Sequence, residues 1–192
     1  MVQFSSQPEN RVTHVLRVVA LWLAAVLYIF LATEAAAMDR QDLTVGMKTL
    51  PLLNNKITGS IKIAILYDSG KSASMNEAED IKAIIDGGLD LPGDLTAEGV
   101  LVPATQPEKM AGSKIAIVTS NLGDFYDRID AAAGKYSILT MSTDLECVRE
   151  NKCILGIVSG PPVAIYYSRH AAENAKISFG QAFLTLVKQV PY

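Results

Sequence analysis

Histidine and cysteine are scarce in this chain, two of each in 192 residues. Two cysteines cannot build a disulfide-dense scaffold or a four-cysteine zinc ribbon. His14 falls in a segment expected to be removed, which leaves His170 to the folded part. No metal site is expected from so few ligands, and no cofactor. Charge is thin as well: 19% of residues, with 17 Lys plus Arg against 20 Asp plus Glu, a net charge of −3. Nucleic-acid binding needs a clustered basic footprint, and this balance argues against it. There is no internal repeat, no low-complexity tract and no linker long enough to split the chain after its first three dozen residues. What is abundant is apolar. Hydrophobic residues make up 49%, too many for a disordered chain, and the length suits one domain with an appended segment.

That apolar content is unevenly spread. Residues 18–32 carry no charge, Arg11 and Arg17 precede them, and Ala35, Ala36 and Ala37 follow. A basic lead, an apolar run of about 15 residues and a small-residue cleavage site are the three parts of a secretory signal peptide. The expectation is a signal over residues 1–37, cleavage after Ala37, and a mature periplasmic chain of residues 38–192. An uncleaved anchor is the alternative. The run is short of the roughly 20 residues a membrane span requires, although residues 35–37 could extend it.

Compartment decides how the cysteines are read. Cys147 and Cys153 both lie in the part expected to be exported. Outside the cytoplasm an even, closely spaced pair predicts a structural disulfide. Free thiols and metal or catalytic use are the other readings. Metal would need further ligands, of which His170 is the candidate, and thiol redox catalysis usually has a tighter Cys-x-x-Cys spacing.

The body of the chain alternates between short apolar runs and amphipathic segments. Leu43, Met47, Leu50 and Leu53 fall at helical spacing, interrupted by Gly46 and Pro51. Ser60-Ile-Lys-Ile-Ala-Ile-Leu-Tyr67 predicts a strand covered on both faces. Ser74 and Glu77 read as a capping box, with Ala78, Ile81, Ile84, Ile85 and Leu89 forming one face. Strands follow at residues 99–103 and 114–119. Then comes a helix capped by Asn121, with Asp124 in its first turn, which Gly134 ends. A strand at 136–141 leads to two more at 153–158 and 163–167, joined by Ser159-Gly-Pro-Pro162 as a hairpin. A last helix is expected from Ser178, with Gln181 completing another capping box and Phe179, Phe183, Leu186, Val187 and Val190 on one side. The expected fold is a single layered α/β domain: a mixed, mostly parallel sheet flanked by helices, ending in a β-hairpin and helix.

No catalytic constellation emerges, and no enzyme is expected. Gly70-Lys71-Ser72 lacks the glycine that a P-loop places four residues earlier, Ile65 standing there. His170 has no Gly-x-Ser-x-Gly nucleophile to serve and reads as an exposed residue on a short helical turn. Glu77, Glu79, Asp80, Asp124 and Asp127 occupy first helical turns, where carboxylates favour the positive helix end. What remains is a binding edge. In open α/β sheets ligands gather at the carboxyl ends of parallel strands, and here those ends carry Asp68, Ser69 and Gly70, then Ser120 and Asn121. These could hold a small ligand or serve as caps and turns.

The stretch from Pro162 through Tyr166, Tyr167, Lys176-Ile177-Ser178 and Phe183 to Lys188 resembles the ending of the YfiR-like family of periplasmic proteins, over about 30 residues. The upstream order of elements is similar, and a disulfide before the late strand fits Cys147–Cys153. The family's aromatic-rich opening helix has no counterpart between Met47 and Asn55, and a second family disulfide is missing. The resemblance implies a divergent, non-enzymatic regulator. Such a protein would bind and restrain an inner-membrane signalling partner of the diguanylate cyclase type, tuned by its disulfide.

Overall fold

The computed structural model describes residues 37–191. The signal peptide expected over residues 1–37 therefore lies, up to its last residue, outside the described residues. Among these, no helix is long and apolar enough to cross a membrane.

Seven strands form one sheet. They are β1 (Ser60–Tyr67), β2 (Thr96–Pro103), β3 (Ile115–Val118), β4 (Leu139–Ser142), β5 (Leu155–Val158), β6 (Ala164–Tyr167) and β7 (Lys188–Gln189), in the order β2-β1-β3-β4-β5-β6-β7. Pairing is parallel from β2 through β5, antiparallel between β5 and β6, and parallel again between β6 and β7. The helices are α1 (Arg40–Met47), α2 (Ser72–Asp86), α3 (Tyr126–Tyr136), α4 (Leu145–Arg149), α5 (Arg169–Asn174) and α6 (Gln181–Leu184).

The two-residue period of a strand sends alternate side chains to opposite faces, and the central strands feed two cores. Ile63, Ile65, Ile115, Ile117, Leu139 and Met141 pack with Leu43 and Met47 of α1 and with Ala78, Ile81 and Ile85 of α2. Ala64, Leu66, Ala116 and Val118 pack on the other face, against Tyr126, Ile129 and Ala133 of α3 and against Cys147 and Val148 of α4. Strands covered on both faces favour apolar residues at successive positions, which accounts for the apolar runs Ile63–Leu66 and Ile115–Val118. The expected mixed, mostly parallel sheet and its hairpin are present.

Several boundaries differ from expectation, each for a physical reason. Helix α2 starts at Ser72, so Ser74 lies inside the first turn. Its hydroxyl accepts from the Asp68 amide at 2.9 Å and bonds the Thr119 hydroxyl at 2.8 Å, while Glu77 bonds residues outside its own helix. The expected capping box is replaced by tertiary bonds. Asn121 has a left-handed φ of 61° and does not cap α3, which starts five residues later after a 3-10 turn at Gly123–Phe125. Gly134 does not end α3. It sits within it, where a Cβ would meet Asn174 of α5 at 2.8 Å, and the helix ends at a left-handed Ser137. The expected C-terminal helix is a single turn, α6, with Gly180 rather than Ser178 before it. The chain then extends into β7, and Leu186, expected on the buried face, is 76% exposed.

Candidate functional site

The strand order reverses between β1 and β3: from β1 the chain crosses to β2 on one side, and β3 lies on the other. Their carboxyl ends form the topological switch point, the usual ligand position of open parallel sheets. The structure brings Asp68 and Gly70 after β1 together with Ser120 and Asn121 after β3, through Lys71. The Lys71 ammonium donates to the Asn121 carbonyl at 3.1 Å and pairs with Asp68 at 3.4 Å. Ser69 lies in the same turn, exposed.

The polar groups of this edge are engaged with one another. The Gly70 amide donates to the Asp68 carboxylate at 2.9 Å. The Thr119 hydroxyl donates to the Leu66 carbonyl at 2.9 Å. The Ser120 amide donates to Oε2 of Glu77 at 3.0 Å and its hydroxyl to Oε1 at 3.3 Å, and the Asn121 amide donates to Asp144 at 3.3 Å. Asp144 also accepts from the Tyr126 hydroxyl at 2.8 Å and, as N-cap of α4, from the Glu146 amide at 3.1 Å. Burial, then the bond to Asp144, pushes the Tyr126 phenol well above its ordinary range. The two adjacent amides that a ligand anion would use are thus held by the protein's own carboxylates, Glu77 and Asp144. A second anion placed there would meet like charge in a partly desolvated site.

The cysteines form the expected disulfide, Cys147–Cys153, with a Cα–Cα separation of 5.2 Å. Both residues are fully buried in the core beneath α4 and β5. His170 is exposed at the start of α5, a six-residue helix, in keeping with the short helical turn expected for it. Among the described residues no group of three or more His, Cys, Asp or Glu side chains is placed to hold a metal ion. Glu79, Asp80, Asp124 and Asp127 are exposed, and Asp127 is ion-paired with Lys152.

A concavity lies at the opposite, amino end of the sheet. Leu53 and residues 55–58 before β1, Lys114 before β3, Ser137 before β4 and the 176–178 loop after α5 line this concavity of about 460 Å³. That volume falls within the usual range for small-molecule sites. Lys56, Lys114 and Lys176 are among its lining residues, which include no carboxylate. Helix α3 and the short α5 end beside it, at the left-handed Ser137 and Lys176. Each helix C-terminus contributes at most about −0.5 charge, so roughly +3 faces about −1 and the mouth stays cationic. Sequence reading did not assemble these lysines. Each precedes or follows a different element, and singly each looks like an ordinary solvated charge.

No family model matches the chain, and no curated protein matches it significantly. Solved structures do resemble it. They include a conserved domain protein from Vibrio cholerae (TM-score 0.52, 12% identity) and an ABC domain in complex with L-Trp from Streptococcus pneumoniae (0.55, 15%). A third is a substrate-binding protein with adhesive properties from Clostridium difficile, in a ligand-free, open form (0.54, 9%). The likeness covers 79%, 79% and 78% of this chain but 60%, 60% and 58% of those chains. The chain therefore spans about three fifths of their length. At such identities the likeness is one of fold alone: a single α/β domain with a mostly parallel sheet flanked by helices.

Proposed function

We propose that this chain is an exported, non-enzymatic small-ligand-binding protein, and that its ligand is a small anion of carboxylate or phosphate type held at the lysine-lined mouth. The observation that carries this reading is the 460 Å³ cavity with Lys56, Lys114 and Lys176 around it. Support comes from the fold, whose solved neighbours include a substrate-binding protein and a domain bound to L-Trp. The test is a thermal-shift screen with mono- and dicarboxylates, inorganic phosphate and pyrophosphate, followed by titration calorimetry on any hit. A ligand at 100 times its Kd adds about 2.7 kcal/mol, which raises Tm by roughly 5–10 °C for a body of this size. Replacing Lys114 and Lys176 together by Ala is expected to weaken binding at least about tenfold, the equivalent of one lost charged contact. A panel that shifts nothing sinks the reading. So does a hit that the double variant binds as tightly as the parent. Loss of binding on Asn121→Ala instead would place the ligand at the switch point.

A second reading rests on the disulfide. By resemblance to the YfiR-like family, the chain would restrain an inner-membrane signalling partner of the diguanylate cyclase type, with Cys147–Cys153 tuning the restraint. Because both sulfurs are buried, reduction would require local opening of α4, and the reduced form would be less stable by about 2 kcal/mol from loop-closure entropy. Affinity capture from envelope extracts with and without reductant tests it. If no membrane protein is enriched in either condition, this reading fails.

A further inference from the structure

At the junction between the expected signal peptide and the folded body, Ala37 is exposed whereas Met38 is 4% exposed, its side chain in the larger core. The backbone nitrogen of Met38 donates to Oε1 of Glu77 at 3.2 Å. Glu77 is itself only 7% exposed, and its other donors are the amide and hydroxyl of Ser120. Among the described residues it enters no ion pair. A carboxylate taken out of water wants a counter-charge as well as hydrogen bonds. The chain is pinned on the other side too. Asp39 is the N-cap of α1 and forms a reciprocal capping box with Asp42, at 3.0 and 2.9 Å. The Met38 nitrogen is thus positioned by its own buried side chain and by the helix cap that follows it, with the exposed Ala37 before it.

We propose that cleavage of the Ala37–Met38 bond converts this hydrogen bond into a buried ion pair between the new N-terminus and Glu77, locking the switch-point network in the mature protein. The peptidase adds one water across the amide. The C–N bond breaks, the carboxylate leaves with Ala37, and the nitrogen stays on Met38. A free α-amino group titrates near 7.7–8.0, so at pH 7 it takes up a proton and faces Glu77 as an ammonium. No rearrangement is needed, because the nitrogen already stands at bonding distance. The ammonium then supplies the counter-charge that Glu77 lacks, and through Glu77 it holds the Ser120 amide at the carboxyl end of β3. The inference rests on the signal-peptide reading and is independent of the lysine-lined cavity.

The test expresses the full chain with its leader and recovers the exported, processed protein. Its N-terminus is sequenced, and one half is acetylated selectively at the α-amine. The expected start is Met38. Acetylation, which restores a neutral amide, should lower Tm by about 5 °C or more. In the Glu77→Gln protein the same acetylation should shift Tm by under about 1 °C, since the charge it would unpair is gone. A different N-terminus overturns the proposal. So does an acetylated parent protein that melts with the unmodified one, which requires no variant to fold. An acetylation loss in Glu77→Gln equal to that of the parent would overturn it as well.

Discussion

Tyr126 shows how much one side chain can connect. It is 2% exposed and contributes to the core beneath α3, yet its hydroxyl reaches across to Asp144, which also holds the Asn121 amide and caps α4. Replacement by Phe keeps the ring and removes one charge-assisted bond, while Asp144 keeps its two amide donors. The expected loss is about 1.5–3 kcal/mol at pH 7. The pH dependence has a definite sign. Burial raises the phenol in the folded state above its unfolded value, with the carboxylate of Asp144 adding to the effect. The unfolded chain therefore ionises first, near pH 10, and Tyr126's contribution is intact below that pH and fades above it. Urea unfolding at pH 8, 10 and 11 should show the gap between the parent and Tyr126→Phe narrowing at the alkaline end. A constant gap would mean that the phenol is not shielded from ionisation in the folded protein.

At the scale of elements, β1 to β6 were legible, whereas β7 was expected as part of a helix and the connections were less legible. Ile63–Leu66 and Ile115–Val118 announce themselves because both faces are buried there and every residue is apolar. The hairpin announced itself through Ser159-Gly-Pro-Pro162 and the apolar runs on either side. The misread features are those whose partners lie far along the chain. Ser74 and Glu77 have the spacing of a local cap, but their partners are Thr119, Ser120 and Met38. Gly134 looks like a helix stop and instead makes room for Asn174, forty residues on. Helix α4, which was not expected from the sequence, carries Cys147 and lies on β5 because Gly156 has no Cβ. One there would stand 2.9 Å from Leu145 and 3.0 Å from Val148. The same limit applies to function. Asp68, Ser120 and Asn121 could be placed at strand ends from periodicity, whereas neither the carboxylates that occupy their amides nor the meeting of Lys56, Lys114 and Lys176 has any local signature.

Over the described body as a whole, the segment after α1 and the segment before α6 close on one another. Leu53 bridges Phe179, the Gly180 amide donates to the Leu52 carbonyl at 2.9 Å, and the Asn54 amide donates to the Ser178 carbonyl at 3.0 Å. Phe183 fastens this closure. It is 1% exposed, stacked on Phe179 with centroids 3.9 Å apart, and edge-on to Tyr167 of β6 at 5.6 Å. These rings belong to the same core as Leu43, Met47 and the isoleucines of β1 and β3, so the last elements of the chain are tied to the first. Truncating a buried Phe to Ala costs about 3–5 kcal/mol, which for a body of this size lowers Tm by roughly 6–20 °C. If the closure is part of one cooperative unit, Phe183→Ala should shift the far-ultraviolet signal of the backbone and the near-ultraviolet signal of the tyrosines together, with a single midpoint. Separation of the two signals, with tyrosine environments melting before secondary structure, would instead make the C-terminal segment a locally opening flap on an independently stable sheet.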